Sequence, residues 1–273
     1  MIVVTGATGS IGRALVAGLR GHDVLAVVRR PAPDLGCAYE PGDLERPESV
    51  GRLLSRGDRL FLNSSLWPGF AAAHRAVIDL AARAGVAQVV TVSVRGARPG
   101  ALLGGGMHGE VDAHLRASGV PYAVLQPTGF MQNLPGEVRD GVMHGSYGPG
   151  AVNYIDARDV AAVAAALLTR PAGPGADHVL TGPESLSHAR IAERVTAVTG
   201  CPVRYVDLPV ARMAAHLERQ GLPAPAAADL AALIAETGDG RWATRTPAVE
   251  QITGRPPRTL DAFLAEHRAA FTG

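Results

Sequence analysis

The sequence contains no lysine: all 26 of its basic residues are arginine. Any site that depends on a lysine ammonium group is therefore excluded. The 25 acidic residues leave a formal net charge of only +1, and the arginines are scattered along the chain. A nucleic-acid-binding surface normally needs a clustered basic patch, so we expect no nucleic-acid partner.

Cysteines and long apolar runs are also scarce. The two cysteines, Cys37 and Cys201, have no metal-ligand spacing, so we expect reduced structural thiols and no metal site. The longest apolar run, Val160 to Leu168, is far shorter than the ~20 residues that span a bilayer. No basic segment precedes Ile2, so we expect no signal peptide, no membrane association and a cytoplasmic location.

The chain begins with a short apolar strand and a glycine-rich turn, V-V-T-G-A-T-G-S-I-G at 3–12. Apolar residues at helical spacing follow, so the turn leads into a helix whose N-terminal N–H groups favour a phosphate. Gly6 allows the tight turn, Gly9 the close approach of phosphate and Gly12 the packing of helix on strand. This context predicts a dinucleotide pyrophosphate on Gly6, Thr8, Gly9, Ser10, Ile11 and Gly12. The alternative is an ordinary glycine-rich turn between a strand and a helix.

Strand and helix patterns alternate through the first two-thirds of the chain. The predicted strands after the first lie near 24–28, 39, 60–63, 89–93, 122–125 and 178–180. This rhythm predicts an α/β, Rossmann-like doubly wound parallel sheet with a smaller, mostly helical C-terminal lobe. We expect a dinucleotide-binding domain over 1–182 and a substrate-capping lobe over 183–273. Ligands of such sheets lie beyond the carboxyl ends of the strands.

The second predicted strand ends at Arg29-Arg30, where a NAD-specific site normally carries an acidic residue. A guanidinium can bind the 2′-phosphate of NADP(H) in bidentate fashion, whereas an acid would be repelled by it. The pair therefore favours NADP(H), with solvated surface arginines as the alternative. Asp43, after the third strand, is a candidate for the adenine amine, and a turn-capping role is an equal alternative.

Other predicted cofactor contacts follow the later strands. Small polar residues there can line the ribose, although helix N-capping competes for each of them. The full set is Leu44, Asn63, Ser64, Ser65, Ser93, Pro127, Thr128 and Phe130.

Aromatic residues make up only 4% of the chain, so those that follow strands suggest an apolar substrate pocket. Trp67 and Phe70 follow the fourth strand, although simple packing under a loop is an equal alternative for each. Met131, Tyr147 and Tyr154 complete the predicted substrate residues.

His108 is the predicted proton donor. It starts a helix after the fifth strand and shares a helix face with Val111, Asp112 and Leu115. Histidine is the ordinary residue for proton donation near neutral pH, and Asp112, one turn on, could orient it. A half-buried histidine bonded to a backbone group is the competing interpretation.

With these pieces, the chain resembles the NmrA-like branch of the atypical short-chain dehydrogenases/reductases. The resemblance covers nearly the whole chain. The matching stretches are V-T-G-A-T-G-S-I-G at 4–12, V-V-R at 27–29, G-D-L-E-R-P-E-S-V at 42–50, L-R-A-S-G-V-P-Y at 115–122, L-Q-P-T-G-F-M-Q-N at 125–133, D-A-R-D-V-A at 156–161, L-T-G-P-E-S-L-S at 180–187 and T-G-R-P-P-R-T-L-D-A-F at 253–263.

The resemblance implies a Rossmann domain, NADP(H) binding and a small C-terminal lobe. Members include quinone and azo-dye reductases, isoflavone-reductase-like enzymes and redox-sensing regulators. The Tyr-x-x-x-Lys pair of most of the superfamily cannot exist here, and His108 matches the catalytic lysine of isoflavone-reductase-like relatives. Gln126 replaces a usual arginine, and Ala113 replaces a lysine common in quinone-reductase members.

These observations predict an NADPH-dependent reductase that transfers a hydride to an apolar, aromatic or quinonoid small molecule between Trp67, Phe70 and Phe130. A redox sensor without catalysis and a non-redox biosynthetic enzyme on the same fold are the alternatives. The expected partner is a small-molecule substrate, and a homodimer is left open.

Overall fold

The computed structural model of the protein describes residues 1–271 and divides into two units. Unit 1 comprises Met1–Pro127, Ala157–Leu180 and Ala248–Arg255, and unit 2 comprises Thr128–Asp156, Thr181–Pro247 and the chain from Pro256 onward. The sequence predicted a single boundary between residues 182 and 183. Positions 272 and 273 of the predicted second domain lie outside the described residues. The structure differs because segment 128–156 forms sheets with later strands of unit 2, whereas segment 157–180 returns to the sheet of unit 1.

Short strands and helices of ordinary length make up both units. In chain order, the strands of the described residues are β1 (Ile2–Val4), β2 (Val24–Val28), β3 (Ala38–Pro41), β4 (Arg59–Leu62), β5 (Gln88–Val92), β6 (Tyr122–Pro127), β7 (Gly129–Phe130), β8 (Val138–Arg139), β9 (Val142–Gly145), β10 (Ala151–Ile155), β11 (Ala176–Leu180), β12 (Ser185–Ser187) and β13 (Arg204–Asp207). The α-helices are α1 (Ser10–Gly18), α2 (Pro47–Gly51), α3 (Phe70–Ala84), α4 (Gly104–Ala117), α5 (Leu134–Glu137), α6 (Ala157–Thr169), α7 (His188–Thr199), α8 (Val210–Arg219), α9 (Ala224–Thr237), α10 (Ala248–Thr253) and α11 (Leu260–Glu266).

Unit 1 is built on a parallel sheet of seven strands in the order β11-β6-β5-β4-β1-β2-β3. The order reverses on either side of β1, as in a doubly wound Rossmann-like fold. Helix α6 packs on α1, β4, β5 and β6, while α2, α3 and α4 pack in series. Val3, Leu60 and Leu62 lie in one buried cluster with residues of α3 and α4, which places the apolar strands between helical layers as parallel sheets require.

Unit 2 contains more strand than the expected mostly helical lobe. Two three-stranded sheets have the orders β12-β10-β7 and β13-β9-β8. Their strands have between two and five residues, too few for hydrophobic periodicity to identify. A buried core that includes Met131, Met143 and Phe263 joins these strands to α7 and α11. Helices α8 and α9 pack on each other around Met213 and Ala231.

Of the helices between residues 1 and 271, none combines the length and the apolar composition needed to span a bilayer.

Candidate functional site

Two of the three glycines in the first turn are required by the fold itself. Gly6 has a positive φ of 62°, and a Cβ there would lie 2.6 Å from the carbonyl oxygen of Asn63. A Cβ on Gly12 would lie 2.1 Å from the carbonyl oxygen of Gly6. Both distances are far below a van der Waals contact, so a side chain at either position would force the turn away from β4 or the helix away from the turn.

Gly9 is different, because the protein leaves room for a side chain there. Its φ is −80°, and the nearest atom to an added Cβ is the carbonyl oxygen of Gly6 at 3.4 Å. Helix α1 starts after Gly9 with no side-chain cap. The N–H groups of Ser10, Ile11 and Gly12 make no hydrogen bond with any residue of the described chain. These N–H groups and the exposed Thr8, Gly9 and Ser10 form a cradle suited to an anion.

Three arginines lie near the ends of β1 and β2, and two of them have no partner among residues 1–271. Arg13 donates to Asp34 at 2.5 Å and to the carbonyl oxygen of Thr8 at 3.1 Å, and the pair with Arg13 lowers the pKa of Asp34. Arg29 and Arg30 are exposed, and within residues 1–271 neither makes a hydrogen bond or an ion pair. Their guanidinium groups are available to a ligand.

Asp43 is used by its own turn. Its carboxylate accepts from the N–H of Glu45 at 3.1 Å and lies 3.8 Å from Arg46, while its backbone N–H donates to Ser49 at 2.8 Å. The turn-capping alternative is therefore observed, and Leu44 packs partly buried on the apolar cluster of unit 1.

The polar residues after β4 and β5 have different exposures. Asn63 and Ser64 are half-buried and Ser65 is exposed, so a ligand can reach them. Ser93 is buried, and its hydroxyl donates to the Asp112 carboxylate at 2.6 Å. That hydroxyl is already bonded within the protein, contrary to its expected role on the ribose.

A cluster of aromatic and imidazole rings follows β4. The Phe70 ring is 1% exposed and lies 3.9 Å from the His74 ring and 4.8 Å from the His108 ring, between centroids. Trp67 is half-buried, with its ring 5.6 Å from that of Phe70. Phe70 is thus a core residue with almost no surface for a substrate, whereas Trp67 keeps exposed surface. His74 was missed in the sequence, although its spacing of four from Phe70 places both on one helix face.

His108 lies in the second turn of α4, and it is neutral at pH 7. Burial lowers the pKa of His108 to about 4. The pKa of His74 is also lowered to about 4, by burial and by the charge on His108, against a backbone hydrogen bond to Phe70 that raises it. Only roughly 0.1% of such an imidazole carries the extra proton at pH 7, so the structure removes the imidazolium donor expected at His108. A neutral ring can still donate an N–H hydrogen bond.

The expected link from Asp112 to His108 is also absent from the described residues. The Asp112 carboxylate accepts from Ser93 and lies 4.0 Å from the Arg116 guanidinium, which itself pairs with Asp177. Burial raises the pKa of Asp112 to about 6, and the Ser93 hydrogen bond lowers it in part. Asp112 therefore ties α4 to the end of β5 instead of orienting an imidazole.

Helix α4 starts at Gly104, four residues before His108, where the sequence predicted its start. A Cβ on Gly106 would lie 2.5 Å from the carbonyl oxygen of Ala101, and one on Gly109 2.1 Å from the carbonyl carbon of Arg98. The preceding loop thus packs directly on the helix backbone, which explains why glycines are tolerated inside a helix.

The segment after β6 is more buried than expected for a ligand contact. Pro127 ends β6 in unit 1, and its carbonyl oxygen accepts from the N–H of Arg95. In unit 2, the buried Thr128 donates to Asn153 at 3.1 Å, Met131 is 1% exposed in the core, and Phe130 is half-buried. Of these residues of unit 2, Phe130 has the most surface for a ligand.

Tyr147 and Tyr154 belong to a cluster of titratable groups in unit 2. The Tyr147 ring stacks on the His188 ring with centroids 3.4 Å apart, and the Tyr154 hydroxyl lies 3.0 Å from His188 Nε2. The Tyr154 ring also fills the space over Gly129, where an added Cβ would lie 2.9 Å from it. Glu137 and His188 were not identified in the sequence, because no spacing relates them to the tyrosines.

Among residues 1–271, no group of three or more His, Cys, Asp or Glu side chains is arranged to hold a metal ion.

Comparisons with known proteins agree on one cofactor class. A family model described as NAD(P)H-binding matches residues 6–171. The chain is 34% identical over 283 residues to an NAD(P)H azoreductase from Xenophilus azovorans, with 99% of each chain covered. It is 28% identical to quinone oxidoreductase 2 of Escherichia coli (strain K12), with 95% of this chain and 96% of that protein covered. The crystal structure of an NADPH-dependent quinone oxidoreductase from Escherichia coli, complexed with NADPH, is similar with a TM-score of 0.85 and 26% identity, over 97% of this chain and 99% of that chain.

Proposed function

Because the chain belongs to the NAD(P)H-binding family of reductases, as its NmrA-like motifs predicted, we propose that it is an NADPH-dependent reductase of aromatic or quinonoid small molecules. The observation that carries the proposal is the cradle at the start of α1. It combines three N–H groups that have no partner in the described part of the chain and a glycine that the fold does not require.

The cradle fits a dinucleotide pyrophosphate. Gly9 has an ordinary backbone conformation, and the protein leaves room for a side chain there. A glycine at this position is therefore best explained by a ligand that approaches the backbone closely. The N-terminal N–H groups of α1 and its dipole stabilise negative charge at the same place. The residues of unit 1 proposed to hold the cofactor are Gly6, Thr8, Gly9, Ser10, Ile11, Gly12, Arg29, Arg30, Asn63, Ser64 and Ser65. When bound, the dihydronicotinamide supplies a hydride.

A substitution at Gly9 tests this cradle. Gly9→Val should abolish NADPH binding while the protein stays folded, because a branched side chain would occupy the approach of the phosphate. Gly12→Val is the matched control and should unfold or strongly destabilise the protein, since a Cβ there overlaps the Gly6 carbonyl oxygen. Calorimetric NADPH binding and thermal unfolding measure both. Normal NADPH binding by Gly9→Val would show that the pyrophosphate binds elsewhere.

Arg29 and Arg30 are proposed to bind the 2′-phosphate, because both guanidiniums are exposed and unpaired within the described range 1–271. Arg29→Ala should weaken NADPH binding by about 1.5–3 kcal/mol, as for a hydrogen bond to a charged group, and should leave NADH binding nearly unchanged. Arg20→Ala, another exposed arginine, is the control. Equal losses for both cofactors, or tighter NADH binding by the unmodified protein, would contradict the assignment.

The acceptor class rests on the relatives and on Trp67. An azoreductase and a quinone oxidoreductase are similar over nearly the whole chain. Trp67, half-buried after β4, offers an aromatic face that a flat acceptor can stack on. His108, buried one helix away beside Phe70, is proposed to keep a neutral N–H donor there.

Turnover decides between the reductase and a sensor that binds NADPH without chemistry. NADPH oxidation, followed by absorbance with a panel of azo dyes, quinones, enones and imines, should show multiple turnovers with at least one aromatic acceptor. Tight NADPH binding without oxidation by any acceptor would identify a sensor or a non-redox enzyme.

A further inference from the structure

Two loops of unit 1 carry large apolar side chains that water reaches. Leu66, in the loop after β4, is 47% exposed, and Leu102, in the loop after β5, is 39% exposed. Among residues 1–271 only five large apolar side chains are exposed, and these two both border Gly104. The Leu66 side chain lies on Gly104, because a Cβ added there would be 2.6 Å from Leu66 Cδ1. A single exposed leucine is ordinary, but an apolar patch of this kind marks a surface that binds something.

Leu103 extends the patch from a strained backbone conformation. Its φ of 48° and ψ of −134° match the first central position of a type II′ turn, which normally requires glycine. The turn is closed by the N–H of Gly105, which donates to the carbonyl oxygen of Leu102 at 3.1 Å. Such strain in a residue with a Cβ is typical of functional sites. We call Leu66, Leu102 and Leu103 the leucine patch.

Hydrogen bonds and ring packing hold both loops in place. In the loop after β5, the N–H of Arg98 donates to the carbonyl oxygen of Gly105 at 3.2 Å, and the N–H of Ala101 donates to that of Arg98 at 3.1 Å. In the loop after β4, the Trp67 ring lies edge-on to the Phe70 ring, with centroids 5.6 Å apart. The Phe70 N–H also donates to the Trp67 carbonyl oxygen at 3.0 Å. These contacts fix the backbone that presents the leucines.

The leucine patch lies at the edge of the sheet that the cofactor is proposed to occupy. Strand β4 lies between β1 and β5, and the loops that follow these parallel strands emerge at the same, carboxyl edge. The proposed 2′-phosphate site, Arg29 and Arg30, follows β2 on the opposite side of β1. A dinucleotide whose pyrophosphate lies on the cradle after β1 therefore extends its nicotinamide half towards β4 and β5, where Leu66 and Leu102 follow the strands.

We propose that the leucine patch binds the outer ring of an acceptor with two aromatic rings, and so selects such acceptors over single-ring ones. The inference rests on the proposed function and names the acceptor class within it. The reacting part of the acceptor stacks on Trp67, and the second ring, which would otherwise stay in water, covers the leucines. Burial of apolar surface on the patch stabilises only the larger acceptors.

Two quinones that differ by one fused ring test this selection. NADPH oxidation by 1,4-naphthoquinone and by 1,4-benzoquinone is compared in the unmodified protein and in the double variant Leu66→Ser/Leu102→Ser. The double variant should lower kcat/KM for naphthoquinone by about tenfold, the order of a lost apolar contact, and for benzoquinone by less than about twofold. Each variant is compared with the unmodified protein on the same quinone, so the different reactivities of the quinones cancel. Val210→Ser, at an exposed apolar residue of unit 2, is the control and should change neither value.

Leu103 allows a test in which stability and activity move apart. Glycine usually makes a protein less stable than alanine does, but at a φ of 48° glycine should be the better residue. Leu103→Gly should therefore unfold at a temperature roughly 2–6 °C above that of Leu103→Ala. Both variants remove the leucine side chain, so both should lower kcat/KM for naphthoquinone and leave that for benzoquinone nearly unchanged.

Binding gives a readout that does not depend on turnover. Naphthoquinone should quench the fluorescence of Trp67 in the NADP⁺-bound protein, with Trp242→Phe as the background so that Trp67 is the sole tryptophan. In that background, Leu66→Ser/Leu102→Ser should raise Kd for naphthoquinone by about tenfold. NADPH affinity should be unchanged in every variant.

Equal losses with both quinones, or unchanged naphthoquinone kinetics and binding, would overturn the leucine patch as an acceptor site. A Leu103→Gly variant no more stable than Leu103→Ala would remove Leu103 from the patch. An unmodified protein that binds naphthoquinone but oxidises NADPH with no acceptor would instead overturn the proposed function.

Discussion

His108 in unit 1 is buried and Glu137 in unit 2 is half-buried, and burial shifts their pKa values in opposite directions. In each case burial disfavours the charged form. For His108 the charged form is the protonated one, so its pKa falls to about 4 and it has no proton to give as an imidazolium at pH 7. For Glu137 the charged form is the deprotonated one, so its pKa rises to about 7 and roughly half of the carboxyl stays protonated at pH 7.

The comparison shows that the residue type alone does not identify a proton donor. Histidine titrates near neutral pH in water, and a carboxyl does not. In this protein burial lowers the pKa of the His108 imidazole to about 4 and raises that of the Glu137 carboxyl to about 7, so the carboxyl is the group that titrates near neutral pH. Three predictions test these opposite shifts.

The largest effect is expected in the pH at which Glu137 loses its proton. Because burial raises the pKa of its carboxyl from 4.5 to about 7, the infrared band of a protonated carboxyl should disappear only as pH rises through about 7. The band should be absent in Glu137→Gln and unchanged in His108→Gln. A band that is already lost near pH 4.5 would show that burial does not perturb this carboxyl.

A smaller effect is expected from His108 itself. His108→Gln keeps an N–H donor at the ring position, and His108→Ala removes it. Because the imidazole is neutral at pH 7, His108→Ala should lower kcat by less than about tenfold, the order of one hydrogen bond, and His108→Gln by less than that. Rates are to be taken where chemistry limits turnover. A loss of 10²–10⁴-fold in His108→Ala would mean that His108 is the acid after all.

The smallest effect is expected in stability, where the two groups should have opposite pH dependence. His108 titrates at about 4 when folded and at 6.5 in its unperturbed state, so its contribution is present above pH 6.5 and is lost as pH falls towards 4. Glu137 titrates at about 7 when folded and at 4.5 in its unperturbed state, so its contribution is present below pH 4.5 and is lost as pH rises through 7.

Urea unfolding at pH 5 and pH 7 measures both contributions. On going from pH 7 to pH 5, the free energy of unfolding of the unmodified protein should fall relative to His108→Gln and rise relative to Glu137→Gln. Each difference should be on the order of 1 kcal/mol. Differences of the same sign for both variants would contradict the opposite effects of burial on the pKa values of His108 and Glu137.

The parallel sheet of unit 1 and the glycine turn could be predicted because their signals are local. A buried parallel strand is a continuous apolar run, and Gly6, Gly9 and Gly12 follow the first strand within one turn of chain. The family resemblance had the same source and was confirmed by the matching family model. Residues with local partners, such as Asp43 in its turn, were also within reach of sequence reasoning, since the turn-capping alternative was recognised there.

The strands of unit 2 could not be predicted in the same way. Strand β7 has two residues and pairs with β10, more than twenty residues further along the chain. No periodic pattern forms over so few residues, and the sequence predicted cofactor contacts at Pro127, Thr128 and Phe130 instead of a strand. In the structure the Tyr154 ring lies over Gly129.

The sequence by itself determined the fold class, the cofactor family and the absence of lysine, because these depend on residue types and short-range spacing. Only the tertiary structure decided which titratable groups keep a proton. That property depends on how completely water is excluded and on which partners surround a group, and those partners come from distant parts of the chain. Ser93 reaches Asp112 across 19 residues and His188 reaches Tyr154 across 34, and neither distance has a signal in the sequence.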